Sequence, residues 1–128
     1  MPTFPRTARL LRPREFRHVF AQPIRFGDQL VTVLARDNGG HEARLGLAVA
    51  RRRIPGAVER NLFKRIVRER FRMYRDRLGG HDIVVMPRPA AAGAGRAALR
   101  ASIDRQWELL ARRGTGSAHN RRPGEGSE

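Results

Sequence analysis

Arg44-Leu45-Gly46-Leu47-Ala48-Val49-Ala50 runs straight into Arg51-Arg52-Arg53, then Ile54-Pro55-Gly56, and then the segment Ala57-Val58-Glu59-Arg60-Asn61-Leu62-Phe63-Lys64-Arg65-Ile66-Val67-Arg68-Glu69. After Arg44 the next six residues are non-polar and the run is short enough for a strand, so 44–50 is read as one. Pro55-Gly56 breaks the chain. Beyond it the apolar residues recur at helical spacing, so a helix is expected over 58–78, stopped by Gly79-Gly80. Each residue of a helix advances about 100°. With Arg60 as origin, Lys64, Arg75, Arg68, Arg72 and Arg65 fall within an arc of roughly 140°, and Asn61 lies inside it. Leu62, Phe63, Ile66, Val67, Phe71, Tyr74 and Leu78 take most of the opposite arc. One side is therefore a packing face and the other a ribbon of cations.

Working outward, a short helix is expected from Pro13 to about Gln22, with Phe16, Val19 and Phe20 on one side and Pro23 ending it. Residues 1–12 read as extended. Residues 29–36 read as a strand, Asn38-Gly39-Gly40 as a turn, 82–87 as a short apolar strand, 87–95 as a loop and 96–112 as a last helix. The pattern leaves room for a further strand near 24–28. From Gly114 on, Gly, Ser, Pro and charge dominate, so a folded domain over 1–113 and a disordered tail over 114–128 are expected. The order α-β-β-α-β-α implies an α+β fold, a single domain with helices packed on a small sheet.

The 128 residues carry a formal charge of +15, and the 51–77 segment alone holds ten arginines and one lysine against three acids. An excess of this kind attracts polyanions. Solvated helix faces ordinarily mix signs through i,i+4 pairs; six cations without a compensating acid suit a nucleic-acid backbone, whose neutralised phosphates release counterions. Arg51-Arg52-Arg53 could extend the same surface. Phe16 and Phe20, one turn apart beside Arg12, Arg14 and Arg17, read either as core residues or as a platform for stacking unpaired bases.

Cysteine is absent, which removes disulfides, thiolate metal sites and cysteine nucleophiles. His18, His41, His81 and His119 show no ligand spacing, and the acids are scattered among arginines, so neither a metal-binding cluster nor an acid–base constellation is visible. Gly93-Ala94-Gly95 lacks the strand–helix context of a phosphate loop. No apolar run approaches the roughly 20 residues needed to span a bilayer, and the first residues lack the apolar core of a signal peptide. A cytoplasmic protein without a membrane or DNA partner is expected.

The 44–69 stretch resembles the signature of the bacterial ribonuclease P protein component, in which a strand reading R-[IV]-G-L-x-V precedes basic residues and a helix reading R-N-R-x-K-R-x-x-R-E. Phe4-Pro5-Arg6, Arg9-Leu10, Glu15-Phe16, Val19-Phe20, Asp82-Ile83-Val84-Val85 and Trp107 also sit where that family has similar residues. The third residue of its Arg-Asn-Arg triplet is Leu62 here. The resemblance implies an α-β sandwich with a small mixed sheet and a left-handed βαβ crossover, a ribosomal-protein-like RNA-binding fold; the general preference is for right-handed crossovers. It implies a subunit of the ribonucleoprotein that removes the 5′ leader from precursor tRNA, with hydrolysis by the catalytic RNA and Mg2+ bound mainly by that RNA rather than stably by the protein. Arg51, Arg52, Arg53, Arg60, Asn61, Lys64, Arg65, Arg68 and Arg72 would bind the RNA subunit. Phe16, Phe20, Arg12 and Arg17 would line a cleft for the leader and broaden the range of precursor tRNA bound. A ribosomal or other structured-RNA-binding protein is the alternative, and a nuclease acting without RNA a further rival.

Overall fold

The computed structural model describes residues 8–117. Residues 1–7, with Phe4-Pro5-Arg6, and 118–128, the greater part of the expected tail, lie outside the described residues. Among the described residues three α-helices and four strands follow in the order α1 (Pro13–Ala21), β1 (Ile24–Gly27), β2 (Val31–Asp37), β3 (Arg44–Leu47), α2 (Ala57–Tyr74), β4 (His81–Pro87) and α3 (Arg96–Ser117). The sheet order is β1-β2-β4-β3. β2 is antiparallel to both neighbours, while β3 and β4 are parallel and joined through α2 as a βαβ unit. The sheet is thus mixed and the domain α+β, as expected.

Alternation along the strands gives the sheet two unequal faces. Val31, Val33, Ala35, Leu45, Ile83 and Val85 point to a large core shared with Phe63, Ile66, Val67 and Phe71 of α2 and with Leu99, Ile103, Trp107 and Leu110 of α3. The rings of Phe71 and Trp107 meet edge to face, 5.9 Å between centroids, an arrangement aromatic pairs favour. Leu34 and Val84 point the other way, to a small core closed by Leu10 and by Val19 of α1. Around Leu34 and Val84 the central strands β2 and β4 are covered on both sides, which is why 33–35 and 83–85 read as continuous apolar runs. The N-terminal segment lies along β3: Arg9 bridges Leu45 in parallel, and the Leu10 N–H donates to the Leu45 carbonyl at 3.0 Å.

Element ends differ from the sequence reading where side chains or tight turns intervene. β2 begins at Val31, two residues late, because the Asp28 carboxylate accepts the N–H groups of Leu30 (2.8 Å) and Val31 (3.2 Å) and closes a turn. In that turn Gly27 comes so near the Val31 carbonyl that no Cβ would fit. β3 stops at Leu47 rather than Ala50, since the chain turns through Arg51-Arg52-Arg53 with Arg53 and Ile54 both donating to the Ala50 carbonyl. The long helix is α only to Tyr74; Arg75–Leu78 tighten into a 3-10 turn before Gly80, whose φ of +89° favours glycine. The 87–95 loop contains a 3-10 turn, Pro89–Gly93. Strand β1 fills the room left at 24–28. α3 continues through Ser117, past the expected boundary at 113, so the stretch 114–117 is helical rather than disordered.

Candidate RNA interface

α2 and the 3-10 turn after it sort their cations. On the side toward α3, the Arg70 guanidinium holds Asp104 through two bonds (2.8 and 3.0 Å) and that of Arg77 holds Glu108 (3.2 and 2.9 Å). Arg75 pairs with Glu42 at 2.9 Å and donates to the Ala43 carbonyl. Lys64, Arg65, Arg68 and Arg72 make no ion pair among the described residues. Burial, and then the nearby positive charge of Arg9, lower the Arg68 pKa from its ordinary value. The Arg72 Nε is buried without a partner. A partly desolvated cation close to another cation is stabilised when an anion comes near.

Arg60 behaves differently from the other expected members of the ribbon. Its guanidinium donates to the carbonyls of Ile54 (3.0 Å) and Pro55 (2.6 Å), fastening the turn that precedes α2, so fewer of its donors remain for a phosphate. Asn61 is exposed on the same stretch. Leu62, which replaces the family arginine, is half-buried and packs against the large core, where a cation would be desolvated.

A second basic surface opens on the opposite face of the sheet. It is a cleft of about 680 Å³ whose floor is Thr32, Ala48 and Met86, with Arg52, Arg53, Arg25 and Arg88 around it. Arg52 and Arg53, expected to extend the ribbon, therefore line this cleft instead; the reversal between β3 and α2 carries them to the other face. Arg51 is exposed in the turn. Arg25 and Arg88 were not singled out from sequence. The available signal for Arg25 was β1 alternation, with Ile24 and Phe26 half-buried and Arg25 exposed between them. Arg88 carried none beyond its place after the apolar β4.

α1 stands beside the cleft. Phe16 packs against the same four-residue core as Ala48 and Met86. A Cβ on Gly46 would sit 2.7 Å from that ring; the glycine of the Leu-Gly-Leu strand is what lets α1 lie so close. Phe20 is 45% exposed. Arg12 and Arg17 are exposed, and Glu15 accepts the backbone N–H groups of Leu11 (2.6 Å) and Arg12 (2.9 Å) at the start of the helix. The Arg12 bond, against the opposing effect of burial, holds the Glu15 carboxyl below its usual range.

Among the described residues no three His, Cys, Asp or Glu side chains come together as a metal site. His18 and His41 are exposed, His81 is buried and His119 is outside the described residues. Among the described residues no helix is long and apolar enough to cross a membrane.

The Ribonuclease P family model matches residues 4–111. The chain belongs to the ribonuclease P protein family. It is 46% identical over 107 residues to the ribonuclease P protein component of Thioalkalivibrio sulfidiphilus, covering 84% of this chain and 89% of that one. A relative of the same description from Methylococcus capsulatus is 46% identical over 115 residues, 90% of each chain. The solved RNase P protein from Thermotoga maritima superposes with a TM-score of 0.69 at 34% identity, over 81% of this chain and 96% of that one. Family membership sets the ribosomal alternative aside, and it gives this protein the role of an RNA-binding ribonuclease P component in tRNA processing.

Proposed function

We propose that the two basic surfaces divide the work of a ribonuclease P subunit: the α2 ribbon docks on the catalytic RNA, and the cleft on the other face takes the 5′ leader of precursor tRNA. One observation carries the division. Acids on α3 and in the β2–β3 connection neutralise Arg70, Arg75 and Arg77, while Lys64, Arg65, Arg68 and Arg72 are left for an external polyanion. The ribbon, now without the Arg52 and Arg53 side chains, suits a duplex or folded RNA backbone. The cleft combines four arginines with an apolar floor and a half-exposed ring, the combination that holds single strands by backbone charge and base stacking.

Hydrolysis falls to the RNA subunit, which would hold magnesium and with it an activated water. Among its described residues the protein offers no cluster of carboxylates for such an ion. Its residues position: Arg52, Arg53 and Arg88 hold leader phosphates, Met86 gives the bases an apolar bed and Phe20 a ring to stack on, and the ribbon screens repulsion between the two RNAs. Reconstitution tests this division. Precursor tRNA should be cleaved at its leader when protein and catalytic RNA are combined, and should stay intact with protein and magnesium alone. Cleavage by the protein alone that persists through repurification and is abolished by a single substitution would contradict it.

A further inference from the structure

Arg25 borders three hollows at once. It lines the cleft, a shallower extension toward Gln29, and a groove on the far side of β1. That groove, of about 430 Å³, runs between β1 and the end of α3 and is formed by Ile24, Phe26, Leu109, Leu110, Arg112 and Arg113 with Arg25. No carboxylate lines it. Arg105, nearer the middle of α3, is tied to Asp28 at 2.9 Å, whereas Arg25, Arg112 and Arg113 make no ion pair among the described residues and are exposed. Leu109 is 47% exposed beside them, and Ile24 and Phe26 are half-buried. The groove thus repeats the cleft's composition of unpaired cations around apolar surface.

The route between the two is set by α1. The Arg36 guanidinium donates to the His18 carbonyl at 2.9 Å, fixing α1 over the Leu34–Arg36 half of that sheet face, and Val19 buries itself there. A strand lying on Thr32 and Met86 cannot continue across the sheet under α1. Beyond the edge strand β1, where Arg25 stands, the surface is open. We propose that the groove is a distal subsite for single-stranded RNA, taking the part of a leader that extends beyond the cleft. Arg25 leads the backbone over the sheet edge, Arg112 and Arg113 hold phosphates, and Leu109 underlies the bases. This rests on the reading of the cleft as the leader site.

The test uses holoenzyme assembled from the full chain and the catalytic RNA, with precursor tRNAs carrying leaders of about 4 and about 16 nucleotides, which bracket single-strand site sizes in small folds. The Arg112→Gln/Arg113→Gln variant should bind the long-leader precursor about tenfold more weakly, with the log–log salt slope reduced by about 0.7 for each phosphate no longer neutralised. It should bind the short-leader precursor as before. Leu109→Ser should show the same length dependence without a change of charge. Unchanged binding of the long leader, or equal loss at both lengths, overturns the subsite. Arg53→Gln separates the underlying reading: it should weaken both lengths. If it does so while the α3 variants spare the long leader, the distal subsite alone fails. If Arg53→Gln spares both, the cleft reading fails.

Discussion

Replacing Phe20 with leucine, and Phe16 with leucine in parallel, separates a ring that serves RNA from a ring that serves the fold. Phe20 is 45% exposed, so about half of its surface is available to a base. Stacking on an aromatic ring contributes about 1–3 kcal/mol, and the half-exposed geometry places Phe20 toward the lower end, near 1.4 kcal/mol, about a tenfold change in affinity. Leucine keeps apolar bulk, so the stability cost at position 20 should stay under about 1 kcal/mol. Phe16 lies against Gly46 and the Leu10–Val19–Leu34–Val84 core; its replacement should cost about 1–1.5 kcal/mol, roughly 4–8 °C in melting temperature for a domain of this size. The assay is equilibrium binding of holoenzyme to precursor and to mature tRNA, with a thermal melt of each protein. Phe20→Leu should weaken precursor binding about tenfold and spare mature tRNA, which has no leader. Equal weakening of both RNAs, or a lowered melting temperature with no binding change, would refute the stacking role and return Phe20 to the core.

Two further outcomes follow from the packing. Gly46→Ala should push Phe16 and α1 off the sheet, lowering stability by about 1–3 kcal/mol and weakening precursor binding more than mature tRNA binding; unchanged melting and affinity would show that the ring yields without cost. His81 is held below its ordinary pKa of 6.5 by burial, an effect only partly offset by the Leu78 carbonyl and Asp37. A base whose pKa is depressed on folding stabilises the protein fully above the unfolded value and loses that contribution as pH falls through the folded value. Stability measured by denaturant should therefore decline as pH drops below about 6.5, the unfolded His value, and His81→Gln should flatten that decline; an identical pH profile would place its origin elsewhere.

What could be read from sequence was what repeats. The 3.6-residue period placed Phe63, Ile66, Val67 and Phe71 in the core and Arg65, Arg68 and Arg72 outside, and β-forming runs located three strands. What escaped depended on long-range partners. Asp28 ends a turn that composition assigned to β2, and it does so while also holding Ser102 and Arg105 of α3. Arg52 and Arg53 adjoin the basic helix in sequence but face the other side of the sheet, because a turn of three residues reverses direction within a few ångströms. Arg60 has the spacing of a phosphate contact, yet its guanidinium is taken up by backbone carbonyls. Arg25 and Arg88 were two isolated arginines in a chain rich in them, and only the sheet brings them to one cleft. Periodicity could not separate Phe16 from Phe20 either; Gly46, remote in sequence, is what distinguishes them.

Docking of the α2 ribbon on the catalytic RNA is tested most directly by the salt dependence of their assembly. The Arg65→Glu/Arg68→Glu variant, confirmed folded by its melting transition, should bind that RNA more weakly. Its plot of log affinity against log salt should be shallower by about 0.9 for each phosphate the variant no longer neutralises, taking the duplex DNA value as the guide for duplex RNA. A folded variant whose slope and affinity match the parent protein would show that the α2 ribbon does not meet the RNA.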